Sequence, residues 1–254
     1  MILTDTHAHL YSSQFDADRA DVIQRALDAN VNRFFIPAID SHYHENMFAL
    51  EKEYPNMFLM MGLHPTSVKE NYKEELAIVK KHLEQRSFFA IGEIGIDLYW
   101  DKSFLKQQQE VFKTQIQWAK KYNLPIAIHC RDAFDEIFEI LEQEKSDSLR
   151  GIFHCFTGTL EQAKKAISYN MKLGIGGVVT FKNGKIDQFL NQIPLSNIVL
   201  ETDAPYLAPI PYRGKRNESS YLILVAHKLA DIYNVSVEEI ADITTQNSIQ
   251  VFGI

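Results

Sequence analysis

The chain has 254 residues, 46% of them hydrophobic, and a formal net charge of −7. This length suffices for one large core, and the negative charge excludes nucleic-acid binding through a broadly basic surface, so any such role needs a local site. No apolar run reaches membrane-spanning length, no signal-like leader opens the chain, and the two cysteines, Cys130 and Cys155, form no Cys-x-x-Cys pair. These features predict a soluble, cytoplasmic protein with reduced thiols.

Short apolar segments alternate with longer amphipathic ones along the chain. The strand candidates are 2–7, 33–37, 58–63, 88–93, 125–130, 151–156, 171–175 and 197–202. Most are rich in Ile, Val, Leu and Phe with little alternation, which is typical of buried parallel strands. Helical periodicity fills the intervals, as in 16–29 and 104–122, and the pair Ser236 and Glu239 predicts the start of the last helix. Eight strands, each followed by a helix, predict an α/β fold, a single (β/α)8 TIM barrel domain over residues 1–254.

Histidines and carboxylates stand where the predicted strands end. Chemistry in such barrels lies at the carboxyl ends of the strands, and five of the nine histidines fall there. The strand-end residues are His7 and His9 (first strand), His64 (third), Glu93 (fourth), His129 (fifth), His154 (sixth) and Asp203 (eighth). Singly, each is more often a hydrogen-bonded core side chain, but their joint placement favours a metal centre.

Six of these side chains form the predicted ligand set: His7, His9, Glu93, His129, His154 and Asp203. A single zinc ion takes three or four ligands, so six donors predict two divalent ions with one bridging group. We expect Glu93 to bridge, with His7, His9 and Asp203 completing one site and His129 and His154 the other.

Strand alternation separates further residues by the face that they occupy. Glu201 shares the face of Asp203 one layer deeper, so we expect it to orient a ligand or the catalytic water. Proton transfer by Glu201 is the less favoured role. The candidate catalytic residues are Glu93, Asp203 and Glu201. Cys130 and Cys155 each follow a predicted ligand and should point outward as small buried apolar residues.

The charge of the predicted site indicates the kind of substrate. Two divalent ions with Glu93 and Asp203 leave a net charge of about +2, which suits an anion such as a phosphodiester. The candidate substrate contacts at this mouth are His64, Arg131, Tyr206, Arg213, Lys215 and Arg216. The last three belong to the loop 211–217, which is either a solvated basic loop or a clamp for phosphates. Tyr206 and Tyr212 could stack on a base or simply pack.

Several segments resemble signatures of the TatD-type metal-dependent deoxyribonucleases. They are His7-Ala8-His9, Gly92-Glu93-Ile94-Gly95-Ile96-Asp97, Pro125-Ile126-Ala127-Ile128-His129-Cys130-Arg131, Phe153-His154-Cys155-Phe156-Thr157-Gly158, Glu201-Thr202-Asp203-Ala204-Pro205-Tyr206-Leu207 and Arg213-Gly214-Lys215-Arg216-Asn217-Glu218. The likeness covers almost the whole chain, 2 to 252. It implies an amidohydrolase-like barrel, deoxyribonuclease activity, and the same six residues as metal ligands.

The chain departs from that family at Ser219, where proline is usual, and we expect the following helix to start more loosely. The fourth strand ends in Glu93 and offers no lysine for a carbamate bridge. This argues against the lysine-bridged hydrolases of the wider superfamily.

Three functions compete. The first is a divalent-metal-dependent deoxyribonuclease, expected to act as a 3′-5′ exonuclease and as a monomer on single-stranded DNA. The second is a metal-dependent ester hydrolase on another nucleic acid, such as a deacylase of misacylated tRNA. The third is a barrel that binds nucleic acid or protein without turnover, against which the intact ligand set argues. Imidazole-rich ligation favours Zn²⁺, Mn²⁺ or Fe²⁺, and Mg²⁺ remains open if substrate phosphate completes its shell.

Overall fold

Eight parallel strands form one sheet whose spatial order follows the chain. The computed structural model describes all residues from Met1 to Ile254. The strands are β1 (Leu3–Asp5), β2 (Val31–Pro37), β3 (Met57–Met61), β4 (Ala90–Asp97), β5 (Ile126–Arg131), β6 (Gly151–Phe153), β7 (Met171–Ile175) and β8 (Ile198–Leu200). All eight lie at predicted positions, so the (β/α)8 TIM barrel is confirmed.

The sheet closes through residues just beyond the ends of β8 and β1. The backbone N–H of Thr6 donates to the carbonyl of Leu200 at 3.0 Å, and that of Asp203 donates to the carbonyl of His7 at 2.9 Å. A third bond of 2.7 Å joins the N–H of His9 to the carbonyl of Ala204. These bonds bring the first and last predicted ligands, 196 positions apart in sequence (203 − 7), side by side at the mouth.

Eight α-helices surround the sheet, but they are not distributed one to each strand. They are α1 (Arg19–Asp28), α2 (His44–Glu53), α3 (Tyr72–Gln85), α4 (Leu105–Tyr122), α5 (Phe134–Glu144), α6 (Leu160–Ser168), α7 (Leu222–Tyr233) and α8 (Val237–Phe252). As predicted, the Ser236 hydroxyl accepts the N–H of Glu239 at the start of α8. None of the helices combines the length and the apolar character that a membrane span needs.

The expected helix between β7 and β8 is absent, and that prediction is wrong. Four short 3₁₀ helices replace it, at 177–180, 186–188, 190–192 and 195–197. Glycines, Pro194 and β-branched residues interrupt this interval, so no run is long enough for a stable α-helix. A Cβ at Gly177 would lie 2.1 Å from the carbonyl oxygen of Leu207, so glycine is required for the backbones to approach here. Both α7 and α8 instead follow β8.

The hydrophobic core consists of two clusters, one inside the barrel and one between the strands and the helices. Alternate strand residues, including Phe35, Met60 and Ile152, form a separate cluster inside the barrel, closed by Val251 and Phe252 of α8. The main cluster of 59 buried residues fills the layer between strands and helices. Because strand residues alternate in direction, the face of β5 that places Ala127 in the inner cluster also carries His129. The same alternation relates Ile152 of β6 to His154 just beyond it.

Candidate metal centre

Glu93 lies at the centre of the mouth and is 2% exposed. Nitrogen atoms of five histidines surround its two carboxylate oxygens: Nδ1 of His129 at 2.8 Å, Nε2 of His7 at 3.0 Å, Nε2 of His64 at 3.2 Å, Nε2 of His154 at 3.2 Å and Nε2 of His9 at 3.5 Å. The contacts divide between the two oxygens: His7 and His9 face Oε2, whereas His64, His129 and His154 face Oε1.

Asp203 adds a second carboxylate on the Oε2 side of Glu93. Its Oδ1 lies 3.5 Å from Nε2 of His9 and 3.9 Å from Nε2 of His7. Three overlapping groups of these side chains could each hold a metal ion: His7 with His9 and Asp203, His7 with Glu93 and His154, and His64 with Glu93 and His129. This geometry is consistent with the predicted binuclear centre, with Glu93 between the two positions.

In three of the histidines, the ring nitrogen that faces away from Glu93 lies within 3.2 Å of a partner outside the cluster. Nδ1 of His9 lies 2.8 Å from the Tyr11 hydroxyl, which itself donates to the carbonyl of Pro37. The Tyr11 proton is thereby used, so His9 must be the donor in that contact, and its Nε2 presents a lone pair to Glu93 and Asp203.

The same pattern holds for the other two. Nε2 of His129 lies 2.8 Å from Oδ2 of Asp97, and Nδ1 of His154 lies 3.2 Å from Oε1 of Glu201. Because Asp97 can only accept, Nε2 of a neutral His129 carries the proton, and its Nδ1 presents a lone pair to Glu93. Nδ1 of His154 forms no hydrogen bond, so the contact of His154 with Glu201 is one of charge. Lone pairs that face a carboxylate repel it, unless a cation lies between them. This donor set therefore fits divalent metal, with outer carboxylates that orient the ligands as metal-bound histidines require.

His64 differs from those three histidines. Its Nδ1 accepts the backbone N–H of Thr66 at 3.1 Å, so in the neutral ring the proton lies on Nε2, 3.2 Å from Glu93. A protonated nitrogen cannot bind metal but can donate to an anionic oxygen. This supports the prediction that His64 contacts substrate, and that role stays a prediction.

The charges of the cluster are strongly coupled. Burial raises the pKa of Glu93, but the surrounding histidines, led by His64, His154 and His7, outweigh burial and hold this pKa well below its ordinary value. Burial lowers the pKa of His154, yet Glu93 and Glu201 raise it well above 6.5. Without a bound cation, protons on histidine therefore take the place of the metal charge beside Glu93.

Glu201 is fully buried beneath the cluster. Its Oε1 accepts the backbone N–H of Cys155 at 2.6 Å as well as facing His154, and an added Cβ at Gly174 would lie 2.1 Å from its Oε2. Glycine in β7 thus makes room for this carboxylate. The position supports the orienting role that was favoured for Glu201 over proton transfer.

Asp97 belongs to one of the family-like segments, but the sequence alone predicts no role for it. Its Oδ2 holds His129, while its Oδ1 accepts the backbone N–H groups of Tyr99 and Trp100 at 3.0 and 3.3 Å. Its place on the face of Glu93 could have been predicted from strand alternation, because Asp97 lies four residues after Glu93 on the same strand.

The Asp5 carboxyl is likewise buried and was not singled out. It accepts from the N–H and hydroxyl of Thr202 and from the hydroxyl of Ser219, and burial raises its pKa to about 7. Thr202 precedes Asp203, so Asp5 ties β1 to the turn that carries a predicted ligand. Ser219 is fully buried in this network, and its hydroxyl anchors the segment that was expected to be loosened.

The predicted substrate contacts occupy different surroundings. Tyr206 is 48% exposed and its ring lies edge-on to His9, with 6.2 Å between ring centres. The guanidinium of Arg131 lies 3.7 Å from the centre of the Tyr99 ring, and that of Arg213 lies 4.5 Å from the Phe181 ring. Tyr206 and Arg213 lie on the loop after β8 and Arg131 lies at the carboxyl end of β5, so a substrate at the mouth could reach all three.

Lys215 and Arg216, at the end of the basic loop 211–217, lie away from the cluster around Glu93. Arg216 forms a two-pronged pair with Asp18, at 2.7 Å for both bonds, so its charge is already neutralised. Lys215 is exposed and lines a surface cavity with Arg25. Tyr212 stacks on Tyr221, with ring centres 4.2 Å apart, so it packs instead of presenting a free face. The structure does not bring Lys215 and Arg216 into the cluster around Glu93.

The two cysteines are free and take different positions. Cys130 packs against the main core cluster, as alternation predicts, and burial raises its pKa to about 12. Cys155 lies beyond the end of β6 with a φ of +45°, so strand alternation does not apply to it. Burial raises its pKa well above the ordinary value, which keeps the thiol protonated and unsuited to metal.

A parallel barrel with histidines and carboxylates converging at its carboxyl end defines a metal-dependent hydrolase of the TIM-barrel class. The model of the family described as "TatD related DNase" matches residues 4–253, and the chain belongs to this family. An uncharacterised metal-dependent hydrolase of Bacillus subtilis, YabD, is 41% identical over the full length of both chains. The uncharacterised metal-dependent hydrolase YcfH of Escherichia coli is 33% identical, covering 100% of this chain and 97% of that protein.

Solved structures agree with this assignment. The TatD homologue YjjV of E. coli K12 superposes with a TM-score of 0.94 at 29% identity, covering 99% of this chain and 98% of that one. A TatD-family hydrolase of Entamoeba histolytica gives a TM-score of 0.84 at 22% identity, covering 99% and 98%, which supports the fold. The protein is therefore a metal-dependent hydrolase of the TatD family.

Proposed function

We propose that this hydrolase cleaves the phosphodiester bonds of single-stranded DNA, removing nucleotides from the 3′ end with two divalent ions. The observation that carries the proposal is the pair of adjacent ligand groups on the two oxygens of Glu93. The description of the family as DNases and the cationic charge of a metal-loaded mouth also support it.

Each residue of the centre then has a part. His7, His9 and Asp203 would hold one ion, His129 and His154 the other, and Glu93 both. Bound there, the ions would lower the pKa of water and polarise the phosphate.

Two side chains around those ligands face the substrate side. The side chain of Asp203 is 15% exposed, against 2% for Glu93, so it is the carboxylate best placed to accept a proton from attacking water. His64 Nε2–H can donate to a phosphate oxygen, whereas fully buried Glu201 only orients His154.

The first prediction tests this centre with the purified protein and Mn²⁺ or Mg²⁺ on a single-stranded oligonucleotide labelled at either end. We expect the wild type to shorten DNA from the 3′ end. Glu93→Gln should lose about a thousandfold in rate, because the metal's contribution of several kcal/mol is removed. Glu139→Gln, an exposed carboxylate on α5, is the matched control and should keep wild-type activity.

The same variants distinguish the nuclease from the alternative ester hydrolase when misacylated aminoacyl-tRNA is supplied as a second substrate. Deacylation without DNA cleavage would replace the nuclease by the deacylase. If Glu93→Gln retained full activity on DNA, the metal mechanism itself would be wrong.

A further inference from the structure

A cleft with a volume of about 760 Å³ opens on the mouth side of the barrel. Its walls come from the turns after β4, β5 and β6 and from the 3₁₀ segment after β7. Tyr99, Phe134, Phe181 and Phe189 are among its lining side chains. The volume falls within the roughly 300–1,000 Å³ of small-molecule sites, so a whole nucleotide can enter.

The cleft adjoins the metal centre through backbone and hydrogen bonds. Arg131 lines it and lies two residues beyond His129 on the same strand. Asp97 binds His129 with one oxygen and the N–H groups of Tyr99 and Trp100 with the other. A single carboxylate therefore holds both a predicted metal ligand and the aromatic turn at the edge of the cleft.

Exposed apolar side chains are concentrated at this end of the molecule. Five of the eight large hydrophobic residues that are exposed lie on the turns after β4 and β8: Tyr99, Trp100, Tyr206, Leu207 and Ile210. Trp100 is 70% exposed and Tyr99 54%. Tyr99 lines the cleft and Trp100 follows it in the chain. Because exposed aromatic rings carry a large hydration cost, these two rings indicate a binding surface at that wall of the cleft.

Positive charges are interleaved with these rings. The Arg131 guanidinium lies 3.7 Å from the centre of the Tyr99 ring and 5.4 Å from that of Trp100. Lys185 and Phe181 also line the cleft, and the Arg213 guanidinium lies 4.5 Å from the centre of the Phe181 ring. Asp132 is the acidic side chain of the lining. Aromatic faces beside arginine and lysine are the chemistry that binds bases and the phosphates between them.

We propose that this cleft is a nucleotide subsite, which stacks one unpaired base on the aromatic side chains headed by Tyr99 while Arg131 and Lys185 contact the adjoining phosphate. The proposal rests on the proposed nuclease function and extends it. A base within a duplex is paired and stacked, so it can enter the cleft only after it has unpaired and left the stack. The subsite thus selects a single-stranded segment next to the cleaved bond.

The experiment compares cleavage of an oligonucleotide with that of two versions carrying an abasic residue at the last or second-last position. For the wild type with Mn²⁺, we expect kcat/KM to fall by about tenfold or more for one abasic version, because one stacked base is lost. Tyr99→Ala and Phe181→Ala should reduce that discrimination to less than about threefold. Tyr72→Ala on α3, a partly exposed tyrosine outside the cleft, should keep it.

A binding measurement separates this proposal from the nuclease function. A 2-aminopurine base in a single strand should lose fluorescence on binding to the metal-loaded protein, and Tyr99→Ala should abolish the loss. Cleavage of abasic and normal strands at equal rates, with quenching unchanged in Tyr99→Ala, would overturn the subsite alone. Absence of all DNA cleavage with quenching retained would overturn the nuclease and leave the subsite.

Discussion

Asp97 divides its two oxygens between the metal centre and the neighbouring turn. Oδ2 lies 2.8 Å from Nε2 of His129, which leaves Nδ1 of this ring to face Glu93. Burial raises the pKa of Asp97, but the hydrogen bond and charge of His129 outweigh burial and lower it. The carboxylate is therefore charged, and its charge fixes the tautomer of a predicted ligand.

Replacement of Asp97 by Asn should weaken metal binding by about 10- to 100-fold, because the amide orients His129 less firmly and lowers its basicity. Isothermal titration with Mn²⁺ measures this affinity. Asp101→Asn, a partly exposed position four residues later, is the control. Equal Mn²⁺ affinity in Asp97→Asn and the wild type would show that Asp97 does not orient a ligand.

At the scale of elements, buried polar bonds join β1, the end of β8 and the start of α7. Asp5 of β1 accepts hydrogen bonds from Thr202 and from Ser219, at 2.6 Å and 2.7 Å from the two hydroxyls. Asn217 adds bonds from its amide to the carbonyls of Thr202 and Tyr206. The turn that carries Asp203 is thus held from both sides by side chains of distant elements.

Ser219→Ala should destabilise the protein by about 1–2 kcal/mol, because a fully buried carboxyl loses one of its donors. Chemical denaturation with urea gives the free energy of unfolding. Ser148→Ala, whose hydroxyl makes only an exposed contact with Ser146, should change it by less than about 0.5 kcal/mol. A loss in Ser219→Ala no greater than that of the control would mean that the Ser219 bond contributes nothing to stability.

At the scale of the whole molecule, one buried histidine links stability to pH independently of the metal centre. His44 of α2 is 2% exposed, neither ring nitrogen has a partner, and its ring lies 5.0 Å from that of His82 on α3. Burial, with a smaller contribution from His82, lowers its pKa to about 4, although Asp40 acts in the opposite direction.

Between pH 6.5 and 4 the unfolded chain binds a proton at this position that the folded protein does not. The contribution of neutral His44 to the free energy of unfolding is therefore fully present above pH 6.5. It is lost as the pH falls from 6.5 to 4, which lowers the free energy of unfolding by on the order of 2–3 kcal/mol. His44→Leu should therefore lose less stability than the wild type between these pH values, as measured by urea unfolding. His227→Leu, an exposed histidine of α7, should follow the wild type; an identical pH profile in all three proteins would contradict the assignment.

The eight strands and the residues at their ends follow from local patterns in the amino-acid sequence. Uninterrupted apolar runs specify buried parallel strands locally, and alternation from Ala127 and Ile152 predicts the direction of His129 and His154. The direction of Glu93 depends in addition on the register irregularity between Ile91 and Ile94, which alternation does not predict. The missing helix between β7 and β8 was also readable in principle from its glycines and Pro194, although the repeating strand–helix pattern concealed it.

The neighbours of each site residue, in contrast, are set by how distant parts of the chain pack together. Whether Arg216 faces a substrate or Asp18 depends on the packing of α1, which is distant in sequence. The outer partners of the histidines, Tyr11, Asp97 and Glu201, are likewise set by closure of the barrel. Local sequence patterns specify direction along a strand, whereas ion pairs and tautomers depend on distances between segments that only the folded chain brings together.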